Sequence, residues 1–256
     1  MDLTDVQWEL LKPLVEPKTP SSRRGRPWRD TRPVLEGVLW VLRTGAQWAE
    51  MPRKYPPYQT CHRRFQQWVR EGVLVEMLRT LAQDLLARGQ LDLAEAFIDA
   101  TFAGGEKGGR AVGPTRRGKG TKIMAIADRH GLPLAVGIAS ASPHETKLVE
   151  ATLQQRFTTA TPQLLIGDRA YDSDSLDQRL RQQYGIRMVA PHTSRRRRKT
   201  QDGRELRRYC RRWKIERFFA WLHNFRRLVI RWEHHEDNFL GMVQLACILI
   251  LMRTYL

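Results

Sequence analysis

Asp99, Asp168 and Glu216 are the residues of this 256-residue chain whose surroundings demand most of them. Asp99 interrupts the apolar run Phe97-Ile98-Asp99-Ala100, where an unpaired buried carboxylate is costly and needs a cation or hydrogen-bond partners. Asp168 follows Leu164-Leu165-Ile166-Gly167, at the carboxyl end of a predicted strand, where sheets covered by helices tend to place ligands. Read by itself, Asp168 also fits a helix cap beside Asp172 and Asp174. Glu216 is one acid among many bases in RRYCRRWKIERFFAWLHNFRR. There Tyr209, Arg212, Glu216 and His223 recur at helical spacing, which at ~100° per residue stacks them on one face. Three carboxylates suit magnesium, a hard ion that takes oxygen ligands. Two such ions roughly 4 Å apart can activate an attacking oxygen and stabilise a leaving one at phosphorus, with no nucleophilic side chain.

The elements that must position these acids change character near residue 90. Residues 1–90 read as a helical domain. Thr4 and Gln7 form a capping box that starts a first helix, which stops near Pro17. A basic linker, Ser21 to Arg29, precedes an amphipathic helix built on Val34, Leu35, Val38, Leu39 and Leu42. The next helix, Gln59 to Arg70, carries Gln59, His62, Arg63 and Gln66 on its polar side. Short helices with a basic, amide-rich third member suit a helix-turn-helix whose side chains read base edges. A fourth helix spans Val73 to Ala87.

Residues 91–256 read as an α/β domain. FIDAT at Phe97–Thr101 is a strand, and the glycine-rich stretch Ala103 to Gly120 is predicted as a loop. Strands follow at Lys122–Asp128 and Leu134–Ala139, then a helix from Ser142-Pro143-His144-Glu145 to Arg156. Beyond it come a strand at Gln163–Ile166, a helix at Ser173–Gln183, a strand at Ile186–Ala190 and one long helix from Glu205 to Arg227. The order β, β, β, α, β, α, β, α is that of RNase H-like domains, in which a mixed sheet is flanked by helices. His144 fits either a phosphate contact or a capping histidine.

Composition narrows the partners. With 44 Lys and Arg against 27 Asp and Glu, the formal charge is +17, which favours a polyanion such as double-stranded DNA. The run Arg195, Arg196, Arg197, Arg198 and Lys199 lies between the last strand and the Glu216 helix, where cations would neutralise phosphates at the rim of the site. Three scattered cysteines exclude a disulfide framework and a C-x-x-C zinc site, and fit a reducing compartment such as the cytoplasm. The acidic start lacks the pattern of a secretory signal. Phe239–Met252 is apolar but shorter than a bilayer span of ~20 residues, so it is expected to be a buried helix and no membrane is expected.

These motifs resemble transposases of the IS-five and IS-four type, the DDE enzymes of bacterial insertion sequences, over nearly the full length. LTDVQWELLKPLV, the GRPWRDTRPVLEGVLWVLRTGAQWAEMP block and YQTCHRRFQQWVREGV are similar to the helical N-terminal domain of that group. FIDAT resembles its first-acid motif, GDRAYDSD its second, and Tyr209, Arg212 and Glu216 its third-acid signature, in which His223 stands where the family has Lys or Arg. The resemblance implies binding to terminal inverted repeats, release of a 3′ hydroxyl at each end, and its attack on target DNA. It also implies magnesium, with manganese as a substitute, and a homodimer or larger assembly on DNA at the bacterial nucleoid. The alternative is a domesticated DNA-binding protein in which the acids are relics.

Overall fold

A computed structural model describes residues 3–16, 29–116, 118–194, 196 and 203–255. The first part is helical: α1 (Asp5–Val15), α2 (Thr31–Thr44), α3 (Tyr58–Arg70) and α4 (Val73–Ala87). The predicted capping box closes α1, with Thr4 Oγ1 accepting from the Gln7 N–H and the Gln7 side chain accepting from the Thr4 N–H. Asp30 caps α2 by accepting from the Arg32 N–H.

Among the described residues, seven strands form one mixed sheet: β1 (Ala96–Gly105), β2 (Gly113–Thr115), β3 (Gly118–Asp128), β4 (Pro133–Ser140), β5 (Leu164–Ile166), β6 (Arg187–Val189) and β7 (Ile230–Arg231). β3 pairs antiparallel with both β1 and β4, whereas β1, β5 and β6 run parallel. This is the RNase H-like arrangement expected from the element order. The helices are α5 (Val149–Gln154), α6 (Asp174–Tyr184), α7 (Gly203–Leu206), α8 (Trp213–His223) and α9 (Glu236–Met252). They cover both faces of the sheet. Asp99, paired with Ala125 across β1 and β3, meets Arg212 at the start of α8. The adjacent Met124 instead lines a cavity with α5 and α9 residues such as Thr152 and Leu240, as alternation along a strand requires.

Three expectations need correction. The stretch 103–120 is not a loop, because β1 runs on to Gly105 and β2 pairs with β3 as a hairpin. Its glycines include a position of close backbone approach. A Cβ at Gly120 would lie 2.3 Å from the Ala103 carbonyl oxygen and 2.5 Å from the Phe102 ring. The predicted helix 205–227 is also broken. α7 gives way to a 3-10 turn, Arg207–Arg211, before α8 begins, and a second such turn, Arg226–Leu228, follows it. Residues three apart eclipse each other in a 3-10 turn, so Arg208 and Arg211 lie on the same side. Both reach the buried carboxylate of Glu95, at 3.4 and 2.7 Å. The helix expected from Ser142 is likewise shortened to a 3-10 turn, Glu145–Lys147, and α5.

The stretch Glu236–Tyr255 has the length and composition of a membrane span, yet 72% of its apolar window is buried inside the protein, against α4, α3 and β4. Helices α1–α4 thus share one apolar core with the sheet domain. Arg227 fastens the join: its Nε donates to Glu233 at 2.7 Å and its Nη1 to the Ala46 carbonyl at 3.1 Å. Both partners of the ion pair are buried, so removing one strands a charge. Arg227→Ala is expected to cost about 3–5 kcal/mol in urea unfolding. The double replacement Arg227→Met with Glu233→Leu should recover most of that loss. A single-variant loss below about 1 kcal/mol, typical of exposed pairs, would refute the lock.

Candidate active site

The register of the parallel strands brings the first two acids level. Ala96 pairs with Leu165 and Phe97 with Ile166, so two residues further along each chain Asp99 and Asp168 stand abreast. Their immediate partners differ. Asp99 Oδ1 accepts from the Ala100 N–H at 2.9 Å, and Oδ2 from Arg212 Nη1 at 2.7 Å. Asp168 caps the 3-10 turn Arg169–Tyr171, accepting from the Ala170 N–H at 2.8 Å. The cap reading of Asp168 is therefore realised through one carboxylate oxygen.

The third acid is joined to the first through the same arginine. Arg212 Nη2 donates to Glu216 at 3.1 Å, one helical turn on, and the Glu216 side chain is 59% exposed. Burial pushes the Asp99 carboxyl above its ordinary value, opposed by the Ala100 N–H and by Arg212. Tyr209 lies in the 3-10 turn rather than in α8, and the Arg212 guanidinium sits 5.9 Å from its ring centre. His223 Nε2 is 3.1 Å from the hydroxyl of Thr101, two residues beyond Asp99 on the same face of β1. Burial lowers the His223 pKa, which favours a neutral ring.

The remaining predicted DNA contacts fall into distinct environments. On α3, Gln59 and Arg63 are exposed and Gln66 is half-buried, whereas His62 stacks against Trp48 at 4.7 Å between ring centres. Arg196 is not a loose rim cation. It donates to Asp172 at 2.6 Å and also to Asp174, while Asp172 accepts from His192 and from the Thr193 N–H. Burial opposes ionisation of Asp172, but these donors hold its carboxyl below the usual range. Arg196 thus ties the segment after β6 to α6. Arg195, Arg197, Arg198 and Lys199 lie outside the described residues. His144 takes its capping role, its Nδ1 accepting from the Thr146 N–H at 3.4 Å and lying 2.9 Å from the Thr146 hydroxyl.

Sequence reasoning missed two neighbours of the acids. Glu145 was hidden at a helix start, and Tyr171 inside the GDRAYDSD motif. The 3-10 turns that carry them pack together, and the charges of Asp99, Asp168 and Glu145 all bear on the Tyr171 phenol, whose pKa burial raises first. Being the acid after Ser-Pro-His was the only local signal for Glu145.

Among the described residues no three His, Cys, Asp or Glu side chains are gathered tightly enough to hold a metal ion. Arg212, itself a cation, stands between Asp99 and Glu216 and is held by both. Carboxylate oxygens are the donors that a hard divalent ion prefers.

The family model described as "Transposase DDE domain" matches residues 92–251, and one described as "Putative transposase of IS4/5 family" matches residues 3–78. The chain is 34% identical over 150 residues to the "Putative transposase for insertion sequence element IS402" of Burkholderia cepacia, covering 55% of this chain and 67% of that one. It is also 34% identical over 121 residues to "Uncharacterized protein y4sN" of Sinorhizobium fredii, covering 47% and 88%. The crystal structure of a pre-cleavage Mos1 transpososome aligns over 84% of this chain and 82% of that one at 9% identity, but its TM-score of 0.25 is too low to bear on the fold. With most of the chain under one family model and the helical start under a second, this protein belongs to the DDE transposases, in their IS4/5 family.

Proposed function

We propose that this transposase binds the terminal inverted repeats of its insertion sequence, hydrolyses a phosphodiester bond at each end and joins the freed 3′ hydroxyls to target DNA. Asp99, Asp168 and Glu216 are the residues to hold two divalent ions, magnesium or in its place manganese. When bound, such ions supply positive charge to the attacking and leaving oxygens of an in-line displacement. The observation that carries this reading is the register that sets Asp99 abreast of Asp168, with one guanidinium linking Asp99 to Glu216.

The chain's own side chains have separate tasks. Arg212 opposes the effect of burial on the Asp99 carboxyl, and its fork of N–H donors suits a DNA phosphate. Tyr209 lies beside that guanidinium. His223, hydrogen-bonded to Thr101 and largely neutral, contributes shape rather than charge. On α3, Arg63, Gln59 and Gln66 are the groups to read base edges, with His62 supporting the helix through Trp48. Arg195, Arg197, Arg198 and Lys199 are the cations to neutralise DNA phosphates, whereas Arg196 is held by Asp172. A homodimer or larger assembly holding two ends, in the bacterial cytoplasm, completes the reading.

Asp99→Asn, Asp168→Asn and Glu216→Gln are each expected to retain binding to a terminal-repeat duplex in a gel shift while abolishing magnesium-dependent cleavage. Cleavage surviving in any one of them would remove that residue from the site. Joined products in the wild-type reaction separate a transposase that completes strand transfer from one that only cuts.

Arg63→Ala should weaken binding to the terminal repeat by about 1–3 kcal/mol and relax its base preference. Wild-type affinity of the variant for the terminal repeat, with unchanged discrimination against a scrambled duplex, would rule out α3 as the reading helix.

A further inference from the structure

Behind the acids lies a buried group that the reading above leaves unused. The Tyr171 side chain is 0% exposed, and its hydroxyl has no hydrogen-bond partner among the described residues. Leaving a buried hydroxyl unmatched costs about 1–3 kcal/mol, which a phenylalanine of the same shape would avoid. The backbone is also shaped around this ring. A Cβ at Gly167 would fall 2.5 Å from it, so the residue before Asp168 makes room for the phenol.

The hydroxyl has carboxylates around it. Asp99, Asp168 and Glu145 each act electrostatically on it, and Glu145 faces it without closing a well-formed hydrogen bond. Glu145 is held by Lys122, whose Nζ lies 3.3 Å from the carboxylate and donates to the Pro143 carbonyl at 2.9 Å. The turn bearing Glu145 packs on the turn that Asp168 caps and that ends at Tyr171. A donor is thereby seated among acids whose charge any bound cation would rearrange.

We propose that Tyr171 and Glu145 are positioning residues of the acid site: the phenol donates its O–H to the carboxylate layer when a divalent ion is bound, and Glu145, fixed by Lys122, sets the direction of that donation. The proposal rests on the reading of Asp99 and Asp168 as metal-holding residues. Groups that orient metal ligands in this way typically govern about 10–100-fold in metal affinity, and keeping an unmatched hydroxyl at a cost in stability is expected where function uses it.

The test is manganese binding to the full-length chain, followed by calorimetry, together with the Tm without metal. Tyr171→Phe should bind manganese about tenfold or more weakly, with an unchanged or higher Tm because the unmatched hydroxyl is gone. Glu145→Gln, which keeps the side-chain shape, should also weaken binding. Wild-type affinity in Tyr171→Phe would overturn the proposal while leaving the metal reading of the acids intact. Weaker binding accompanied by a matching fall in Tm in both variants would assign the pair to the fold and overturn it as well. A wild-type chain that binds no manganese, or binds it equally after Asp99→Asn, would sink the metal reading and this proposal with it.

Discussion

Asp99 sits in a strand whose neighbours Phe97 and Ile98 are fully buried, and an unpaired ion in such a place costs several kcal/mol. Arg212 meets that demand, and much of the architecture serves to put it there. Its guanidinium reaches Asp99 from the start of α8, which packs on β1 and β3. The approach to α8 is held by Arg208 and Arg211 on Glu95. Its far end is followed by Arg227, which grips Glu233 and the carbonyls after α2. Once α8 is so fixed, Glu216 follows one turn after Arg212 and shares its guanidinium.

The two level acids are therefore not equivalent. Asp99 is satisfied by a cation on a long side chain, Asp168 by a rigid backbone N–H at the start of a 3-10 turn. A partner of the first kind sits on a long side chain that can swing aside for another cation, whereas the second is fixed by the turn that carries it.

The formal charge of +17 is distributed unevenly between structure and surface. Arg196, Arg208, Arg211, Arg212 and Arg227 are each committed to a carboxylate, and Arg231 is buried with its N–H groups on Thr121 and on the carbonyls of Glu233 and His234. Net charge predicts the class of partner, since a polyanion responds to the summed field. It does not say which arginine touches that partner. Arg196 illustrates the difference: its neighbours in sequence suggest a phosphate contact, but Asp172 and Asp174 make it a strut.

Local chemistry makes much of this protein legible in its sequence. The Thr4 capping box, the apolar spacing of α2 and α4, the strands around Asp99 and Asp168 and the buried character of α9 all depend on residues close along the chain. The features that escape such reading have causes far away. Glycines between 104 and 120 look like loop signals, yet Gly120 is set by the Ala103 carbonyl across a strand pair. The helix around Tyr209 tightens because Glu95, more than a hundred residues earlier, gathers two arginines. Glu145 and Tyr171 meet only because two turns from separate parts of the chain pack together. Periodicity and capping act over a few residues, so the sequence by itself determined the elements and the family motifs. Which buried charge meets which counter-charge depends on distances set by the assembled sheet and α8, and only the tertiary structure decided it.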